Sequence, residues 1–453
     1  MSRDLSTDDL RSRVHSVLPG VRSNLEDLVR IQSVSADPAR LSEVERSAEA
    51  VRGLFAAEGF DARISRAEDG AAPAVIAHKP APAGAPTILL YAHHDVQPEN
   101  DHADWDSPPW EPTERDGRLY ARGAADDKAG ICAHLAAIRA LGDDLAIGVT
   151  LFVEGEEEVG SDSLPALLAR EKEALSADVI VIADSGNWDI GVPALTTSLR
   201  GLVRMDIEVR TLTHAVHSGM WGGLVPDAVM TLARLIASLN DDEGNLVIEG
   251  LHAGPADDVE YPEERLRAES GAVPGITWIG SGPIVERLWT KPAMSITGLD
   301  APQVFGASNT LVPSARARIS LRIAPGDTTE NAVACLTAHL EKNIAWGAEL
   351  TMTVVDTGQA TAIEADGPAY DIARDAFTEA WDGVRPVDMG VGGSIPFIAE
   401  FLEAFPAASV LVTGVEDPDT RAHGANEGLH LAEFEKVCLA ETLLLAKLAS
   451  LTP

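Results

Sequence analysis

The chain has 453 residues, of which 45% are hydrophobic and 23% charged, a balance typical of a folded globular protein that excludes extensive disorder. Its 35 lysine and arginine residues against 71 aspartate and glutamate residues give a formal net charge of −36 at pH 7. We therefore expect neither nucleic acid nor an anionic membrane surface as a partner, because both are bound through basic patches.

The cysteines and the N-terminus indicate a reducing compartment. The three cysteines are far apart and outside any C-x-x-C spacing, so neither a disulfide framework nor a redox motif is expected. The first ten residues are acidic where a secretory signal needs a basic start, and no apolar run reaches the length of about 18 residues that spans a membrane. We therefore expect a cytoplasmic protein.

The first 85 residues alternate helical and short extended patterns. After them, four apolar, β-rich runs predict buried strands. Their apolarity is continuous rather than alternating, as in parallel strands that are covered on both faces. Between the first two runs, residues 129–141 form an apolar helix that can serve as a crossover. The runs are residues 87–92, 147–153, 179–183 and 409–413.

Side chains with metal-binding or catalytic potential follow these runs. His93 follows the first, the acidic cluster 154–158 the second and Asp184 the third, while His423 lies beyond the fourth. Ligands of open α/β sheets bind outside the carboxyl ends of the strands. We therefore expect these groups to converge at one edge of the sheet.

A different pattern between the third and fourth runs predicts an inserted α+β domain. Residues 202–209 and 315–323 alternate apolar and polar side chains, as half-exposed antiparallel strands do. Residues 227–239 and 331–340 have the spacing of amphipathic helices. Residues 240–282 are rich in acidic residues, glycine and proline, and predict a long surface excursion.

Two short segments suit a metal site. Residues two apart on a strand point the same way, so Asp95 can reach the far ring nitrogen of His93 and fix its tautomer, as metal-bound imidazoles usually require. Asp126 and Asp127 open the apolar helix. Taken alone, the first segment could be a surface turn, and the two aspartates could simply cap the helix and complement its dipole.

The acidic cluster allows a division of labour between adjacent carboxylates. Glu157 and Glu158 must point in different directions, so one can bind a cation while the other faces a bound water, as metal-assisted hydrolysis needs. The alternative is a solvated acidic loop. An isolated His423 would likewise more often be a hydrogen-bonded loop residue than a ligand.

Together and in order, the motifs of this chain resemble the carnosinase/aminoacylase family of dinuclear metallopeptidases. They are Ala-His-x-Asp-Val-Gln-Pro, Arg-Gly-x-x-Asp-Asp-Lys, Glu-Glu-Val-Gly-Ser, a strand ending in Asp, Gly-Gly-Ser-Ile-Pro and His-x-x-Asn-Glu, and they run from His93 to Glu427. Asp184 in place of a glutamate, the Val-Gln-Pro after Asp95 and the run Glu-Gly-Glu-Glu-Glu resemble the carnosinase-like dipeptidase branch.

The resemblance implies an α/β fold with a doubly wound, mostly parallel sheet in the catalytic domain and an inserted α+β lid that also forms a homodimer. The expected boundaries are 1–196 and 360–453 for the catalytic domain and 197–359 for the lid.

The resemblance also implies a cofactor of two divalent metal ions per chain, with zinc as the first expectation and manganese or cobalt as alternatives. His93, Asp126 and Asp184 would hold one ion, and Asp126, Glu158 and His423 the other, so that Asp126 bridges the pair.

The remaining site residues also follow from the resemblance. Asp95 would orient the first imidazole, and Glu157 would be the general base. His217, in His-Ser-Gly, would reach across the dimer to polarise the scissile carbonyl. Arg322 would pair with the substrate carboxylate and Ser394 would line the same pocket. Whether residue 309 or residue 310 faces the substrate stays open.

The function that the resemblance implies is hydrolysis of dipeptides or short peptides by a hydroxide that bridges two divalent metals. An N-acyl-amino-acid deacylase with the same dinuclear site is the nearest alternative. A non-catalytic peptide-binding relative is a third possibility, and the presence of Glu157 together with every expected ligand argues against it.

Overall fold

The computed structural model describes residues 5–68, 70–257, 259–393 and 396–451. The strands are β1 (Asp61–Ser65), β2 (Ala74–Lys79), β3 (Thr87–His93), β4 (Thr113–Arg115), β5 (Arg118–Tyr120), β6 (Gly148–Glu154), β7 (Val179–Ile182), β8 (Ala194–Leu199), β9 (Gly201–Arg210), β10 (Val216–His217), β11 (Ala293–Asp300), β12 (Thr310–Leu311), β13 (Ser314–Ile323), β14 (Glu349–Gly358), β15 (Thr361–Ala362), β16 (Val387–Val391), β17 (Ser409–Val412) and β18 (Gly428–His430). The helices are α1 (Thr7–Val29), α2 (Leu41–Ala57), α3 (Lys128–Leu141), α4 (Leu164–Arg170), α5 (Lys172–Leu175), α6 (Ser218–Trp221), α7 (Ala228–Ala237), α8 (Glu263–Ser270), α9 (Thr329–Asn343), α10 (Pro368–Ala380), α11 (Pro396–Ala404) and α12 (Leu431–Leu448).

The chain forms two compact units, and unit 1 contains Met1–Thr197, Ile363–Met389 and Glu400–Pro453. Its main sheet has the strand order β1-β2-β6-β3-β7-β17-β8. The central strands β6, β3, β7 and β17 are the four predicted apolar runs, and they pair in parallel. Antiparallel pairs add β2 and β1 on one side and β8 on the other. The carboxyl ends of the four central strands therefore lie at one edge.

Helix α3 is the predicted crossover, and it connects β3 to β6 while packing on β3. Its N-terminus is capped by Asp127, whose Oδ1 accepts a hydrogen bond of 3.2 Å from the backbone N–H of Gly130. The helices α1 and α12 pack against it, and α10 packs against α12. Among the described residues, no helix combines the length and apolarity needed to cross a membrane.

Unit 2 contains Ser198–Ala362 and Gly390–Ala399. Its sheet is antiparallel with the order β11-β13-β9-β14, and β9 and β13 are the two predicted alternating strands. The helices α7 and α9 contact this sheet, and their apolar faces join it in one core. A mixed sheet whose central strands are parallel in unit 1 and a separate antiparallel sheet with helices in unit 2 confirm the predicted fold class.

Candidate metal centre

The end of β3 places His93 against two carboxylates. The imidazole is fully buried, and its Nε2 lies 3.0 Å from Oδ1 of Asp126 and 3.7 Å from Oδ1 of Asp184. Asp184 follows β7, the neighbour of β3 in the sheet. On the other side of the ring, Nδ1 lies 3.1 Å from the backbone carbonyl oxygen of Asp95. A proton on Nδ1 can be donated to that oxygen, which leaves the Nε2 lone pair directed at the carboxylates.

A second imidazole approaches the other oxygen of Asp126. Nε2 of His423 lies 3.1 Å from Oδ2 of Asp126 and 3.3 Å from Oε2 of Glu158. The side chain of His423 is 60% exposed, whereas that of Glu158 is 2% exposed. Asp126 therefore offers one carboxylate oxygen to each imidazole, and the site is open to solvent on the His423 side.

The adjacent glutamates diverge as predicted. Oε2 of Glu157 lies 4.0 Å from Nε2 of His93, on the side of Asp184, whereas Glu158 faces Asp126 and His423. Both residues occupy the short helical turn Glu157–Val159 just after β6. The turn thus supplies one carboxylate to each half of the site.

Asp95 makes contacts that sequence reasoning did not foresee. Its carboxylate oxygen Oδ1 is 3.4 Å from Nδ1 of His93, which is longer than the contact of its own backbone carbonyl. The two carboxylate oxygens accept hydrogen bonds of 3.2 Å from the backbone N–H groups of Glu157 and Glu158. Asp95 therefore positions the acidic turn as well as the first imidazole.

Glu427 is a site residue that the sequence analysis missed, although it closes the His-x-x-Asn-Glu motif. It is fully buried and accepts a hydrogen bond of 2.6 Å from Arg122, which also donates to the carbonyl oxygen of Gly424 at 3.0 Å. The carboxylate therefore links the loop that carries Asp126 to the loop that carries His423. It also accepts hydrogen bonds from the backbone N–H groups of Gly123, Ala125 and Asp126.

Two more supporting residues lie within the motifs. Gln97 donates from its backbone N–H and from its side chain to the two oxygens of Glu158, at 2.9 and 2.7 Å. Asp127, joined to Asp126 by a cis peptide bond, accepts a hydrogen bond of 3.1 Å from the backbone N–H of His93. The signal that could have identified them is adjacency to the ligand Asp126 for Asp127, and membership of the Asp-Val-Gln-Pro motif for Gln97.

Burial and neighbouring charges shift the proton affinities at the site. Burial raises the pKa of Glu157 to about 9, with the charge of Asp184 adding to it. Burial and the charge of Asp126 likewise raise the pKa of Glu158 to about 9. Burial alone would lower the pKa of His93, but the charge of Asp184 and the hydrogen bond with Asp126 outweigh it and hold that pKa well above its ordinary value.

These side chains fit divalent cations. Carboxylate oxygens and imidazole nitrogens are common ligands of zinc and manganese, and two groups of three have ligand atoms that all lie within 4.8 Å of one another. Cations would also relieve the crowding of carboxylates that raises their pKa values. The two groups are His93 with Glu157 and Asp184, and His93 with Asp126 and Glu158.

The other predicted site residues belong to unit 2 or lie outside the described residues. His217 is exposed in β10, and its Nδ1 accepts a hydrogen bond of 3.0 Å from the backbone N–H of Gly219. Thr310 pairs with it in register, and Arg322 lies half-buried in β13. Ser394 lies outside the described residues.

The sequence matches the family model of peptidase family M20/M25/M40 over residues 89–447, most of the chain. This chain belongs to that family. A cysteinylglycine-S-conjugate dipeptidase of Corynebacterium striatum is 33% identical to it over 425 residues, which cover 92% of this chain and 93% of the relative. A beta-Ala-His dipeptidase of Rattus norvegicus is 30% identical over 389 residues, which cover 81% of this chain and 78% of the relative.

Solved structures of two dipeptidases share the fold over nearly the whole chain. The di-peptidase Dug1p from Saccharomyces cerevisiae has a TM-score of 0.77 at 23% identity and covers 100% of both chains. Human carnosine dipeptidase 1 has a TM-score of 0.76 at 24% identity and covers 98% of this chain and 99% of its own. The predicted resemblance is confirmed, as is the prediction of a metal-dependent peptidase of the M20 dipeptidase branch.

Proposed function

We propose that this protein cleaves unblocked dipeptides with the help of two divalent cations held by the residues of unit 1. The observation that carries the proposal is the position of Asp126, whose two oxygens lie 3.0 and 3.1 Å from two different imidazoles. One carboxylate shared in this way suits a pair of cations better than a single one. The relatives named above act on cysteinylglycine S-conjugates and on beta-Ala-His, and both substrates are dipeptides.

The proposed ligands divide into two sets that share Asp126. His93 and Asp184 complete one set, and Glu158 and His423 complete the other. Such cations, when bound, act as Lewis acids and make water a nucleophile near neutral pH. Zinc is the proposed metal, with manganese and cobalt as alternatives.

Glu157 is the proposed general base. Its carboxylate lies beside His93 and Asp184, and burial keeps its proton affinity high. Oε2 of Glu157 would take a proton from the attacking water and return it to the leaving amino group, as a carboxylate whose pKa lies above its ordinary range can do. The hydrogen bond from the backbone N–H of Glu157 to Asp95 fixes the turn from which this carboxylate reaches the reacting atoms.

Residues 1–196 and 360–453 are the proposed catalytic domain, and residues 197–359 are the proposed lid, through which the chain forms a homodimer. Unit 2 supports this proposal by exposing large apolar side chains, as association surfaces do. In the dimer, His217 would polarise the scissile carbonyl in the partner's site, and Arg322 and Ser394 would bind the substrate. The exposed apolar side chains include Met220, Leu224, Leu299, Val304 and Phe305.

Substrate turnover distinguishes a dipeptidase from a deacylase. The full chain, loaded separately with zinc, manganese or cobalt, is given Cys-Gly, β-Ala-His and a set of N-acetyl amino acids. We expect free amino acids from the unblocked dipeptides and little acetate from the acetylated compounds. Turnover of the acetylated compounds alone would make the protein an N-acyl-amino-acid deacylase. Elemental analysis of the same samples should find two metal ions per chain.

The cross-subunit role of His217 has a matched control in His214. Both imidazoles are exposed in unit 2 and lie three positions apart, His214 just before β10 and His217 at its end, but only His217 belongs to the His-Ser-Gly motif. His217→Ala should lower kcat by two or more orders of magnitude without loss of metal, whereas His214→Ala should retain activity. A fully active His217→Ala enzyme, or a monomer of full activity in sedimentation, would exclude the cross-subunit contribution.

A further inference from the structure

Unit 2 contains a cavity, open on one side, whose lining includes none of the proposed metal ligands. Its volume is about 760 Å³, and most of its wall comes from residues 240–294, a stretch that includes the predicted surface excursion. Instead of lying flat on the surface, this segment folds around the space with α8 on one side. The apolar part of the wall is formed by Leu246, Ile248, Leu251, Leu266, Ile284, Leu288 and Met294.

The polar part of the wall is cationic. Arg200, Arg287 and Lys291 line the cavity, and Asp241 is the one carboxylate among its lining residues. Asp241 already accepts hydrogen bonds from the backbone and side chain of Asn245. This local positive excess is unusual in a chain whose net charge is −36.

Arg200 is a buried cation without a carboxylate partner among the described residues. It is only 9% exposed, and its guanidinium donates to the backbone carbonyl oxygens of Gly392 and Arg287 at 3.2 and 3.4 Å. Burial lowers its pKa to about 10, and the nearby charge of Arg322 adds to that effect. Burying a charge that no opposite charge balances is costly, so an anion beside Arg200 would be stabilised.

Two further donors at the cavity have no acceptor. Nε1 of Trp278 and Nε of Arg287 are both buried and make no hydrogen bond within the described part of the chain. The other guanidinium nitrogens of Arg287 are partly used, since Nη1 donates to the carbonyl oxygens of Ile279 and Gly280. Lys291, in contrast, is paired with Glu286 at 2.9 Å. Buried donors usually find a partner, and an acceptor group on a ligand bound in this pocket would supply one.

We propose that this cavity is a binding site for a small organic anion with an apolar body. The apolar wall would hold the body, and Arg200, Arg287 and Trp278 would donate to the anionic group. Such a mixture of apolar surface with a few converging polar groups is characteristic of ligand pockets. The site belongs to unit 2, and its lining includes none of the proposed metal ligands or substrate-binding residues.

A pair of probes that differ in charge tests the proposal. The first is 8-anilinonaphthalene-1-sulfonate, and the second is N-phenyl-1-naphthylamine, which has the same ring system without the sulfonate. Both are titrated into the metal-loaded full chain by fluorescence, with calorimetry for the stoichiometry. We expect one saturable sulfonate site per chain and weaker binding of the neutral probe.

Arg287→Met removes one cation while it keeps most of the side-chain volume. It should weaken sulfonate binding about tenfold, the loss of one charge-assisted hydrogen bond, and leave binding of the neutral probe unchanged. The control is Arg234→Met, because Arg234 is an exposed arginine of the same unit that stacks on Trp346 instead of lining the cavity.

A second variant keeps the test decisive if Arg287→Met unfolds. Ala253→Phe adds volume at the cavity wall without changing charge, and it should abolish binding of both probes. Sulfonate affinity that is equal in the wild type, in Arg287→Met and in Ala253→Phe would overturn the proposal, as would equal binding of the charged and neutral probes to the wild type.

Discussion

At the residue scale, Glu157 is the side chain whose loss should separate catalysis from metal binding. Glu157→Gln keeps the shape of the side chain but removes the proton acceptor, so kcat should fall by about two to four orders of magnitude. The proposed ligands are untouched, and the metal content should stay at that of the wild type. Turnover of a dipeptide and elemental analysis of the same preparation provide the two measurements.

The control for this prediction is the neighbouring carboxylate of Glu156. Glu156 accepts a hydrogen bond from the backbone N–H of Ser163 and belongs to neither ligand group. Glu156→Gln should therefore change kcat little. A Glu157→Gln enzyme as active as the Glu156→Gln enzyme would contradict the assignment of Glu157 as the base.

Glu427 should act on metal affinity through the loop that it holds. In Glu427→Gln an amide N–H₂ group replaces one carboxylate oxygen, so at least one of the backbone donors or Arg122 loses its acceptor. Changes to groups that orient metal ligands typically cost 10- to 100-fold in affinity, and we expect a loss of this size for zinc. Competition with a chelating dye measures it, with exposed Glu435→Gln as control. Equal zinc affinity in both variants would show that the Asp126 loop does not depend on Glu427.

Most of the ligand candidates could be predicted from their positions because they follow a buried strand or begin a helix, whereas His423 lies in a loop and was implied by the family resemblance. His93 and Asp184 close or follow β3 and β7, and parallel strands bring their carboxyl ends to the same edge. The second role of Asp95 could not be predicted, because it depends on where the turn after β6 folds back. The buried pair Arg122 and Glu427 joins residues 305 positions apart, and no local pattern marks such a contact.

At the element scale, the layer of helices is fixed by a buried polar contact between α3 and α12. Nδ1 of His134 lies 2.7 Å from Oε1 of Glu441, and its Nε2 lies 3.1 Å from the carbonyl oxygen of Tyr91 at the end of β3. Both side chains are nearly inaccessible, with exposures of 0% and 7%. The contact thus joins two helices to the strand that carries His93.

Removing one partner of this pair should destabilise the fold without direct damage to the site. Glu441→Ala removes the carboxylate partner of the buried imidazole of His134, and breaking a buried charged pair typically costs about 3–5 kcal/mol in the free energy of unfolding. Urea denaturation of the metal-loaded protein measures the loss. The matched control is Glu435→Ala, because Glu435 lies on the same helix but is 40% exposed and pairs with an exposed His15, so its loss should cost at most about 1 kcal/mol. Equal stability of the two variants would contradict the prediction.

The predicted elements agree with the structure where one physical preference dominates. The continuous apolar runs form β3, β6, β7 and β17, and the alternating runs form β9 and β13. The segment 240–282 was predicted as a surface excursion because its composition is acidic and rich in glycine and proline. This segment folds around a cavity through contacts between apolar side chains that are scattered along it. These contacts follow no periodic pattern, so the sequence does not predict them.

At the scale of the whole molecule, the metal centre should couple stability to pH. In the folded protein freed of metal, burial raises the pKa values of Glu157 and Glu158 to about 9, whereas unfolded glutamates have pKa values of about 4.3. Between these values the folded chain binds more protons than the unfolded chain, so its free energy of unfolding must fall as pH rises. The raised pKa of His93 acts in the same direction above neutral pH.

Chelation should therefore cost more stability at high pH than at low pH. After exhaustive EDTA treatment, Tm should fall as pH increases from 5.5 to 8.5, because the free energy of unfolding falls by at most about 1.4 kcal/mol per pH unit for each raised carboxyl. Bound cations replace these protons, so the Tm of the zinc-loaded protein should fall less as pH rises. The difference in Tm between the zinc-loaded and the chelated form should therefore widen with pH. Scanning calorimetry across the pH series measures the gap. Glu157→Gln removes one of the two raised carboxyls, so the Tm of its metal-free form should fall less steeply with pH than that of the wild type. Parallel curves of Tm against pH for the zinc-loaded and the chelated wild type would contradict the prediction, because the cations would then not act through the buried carboxyls.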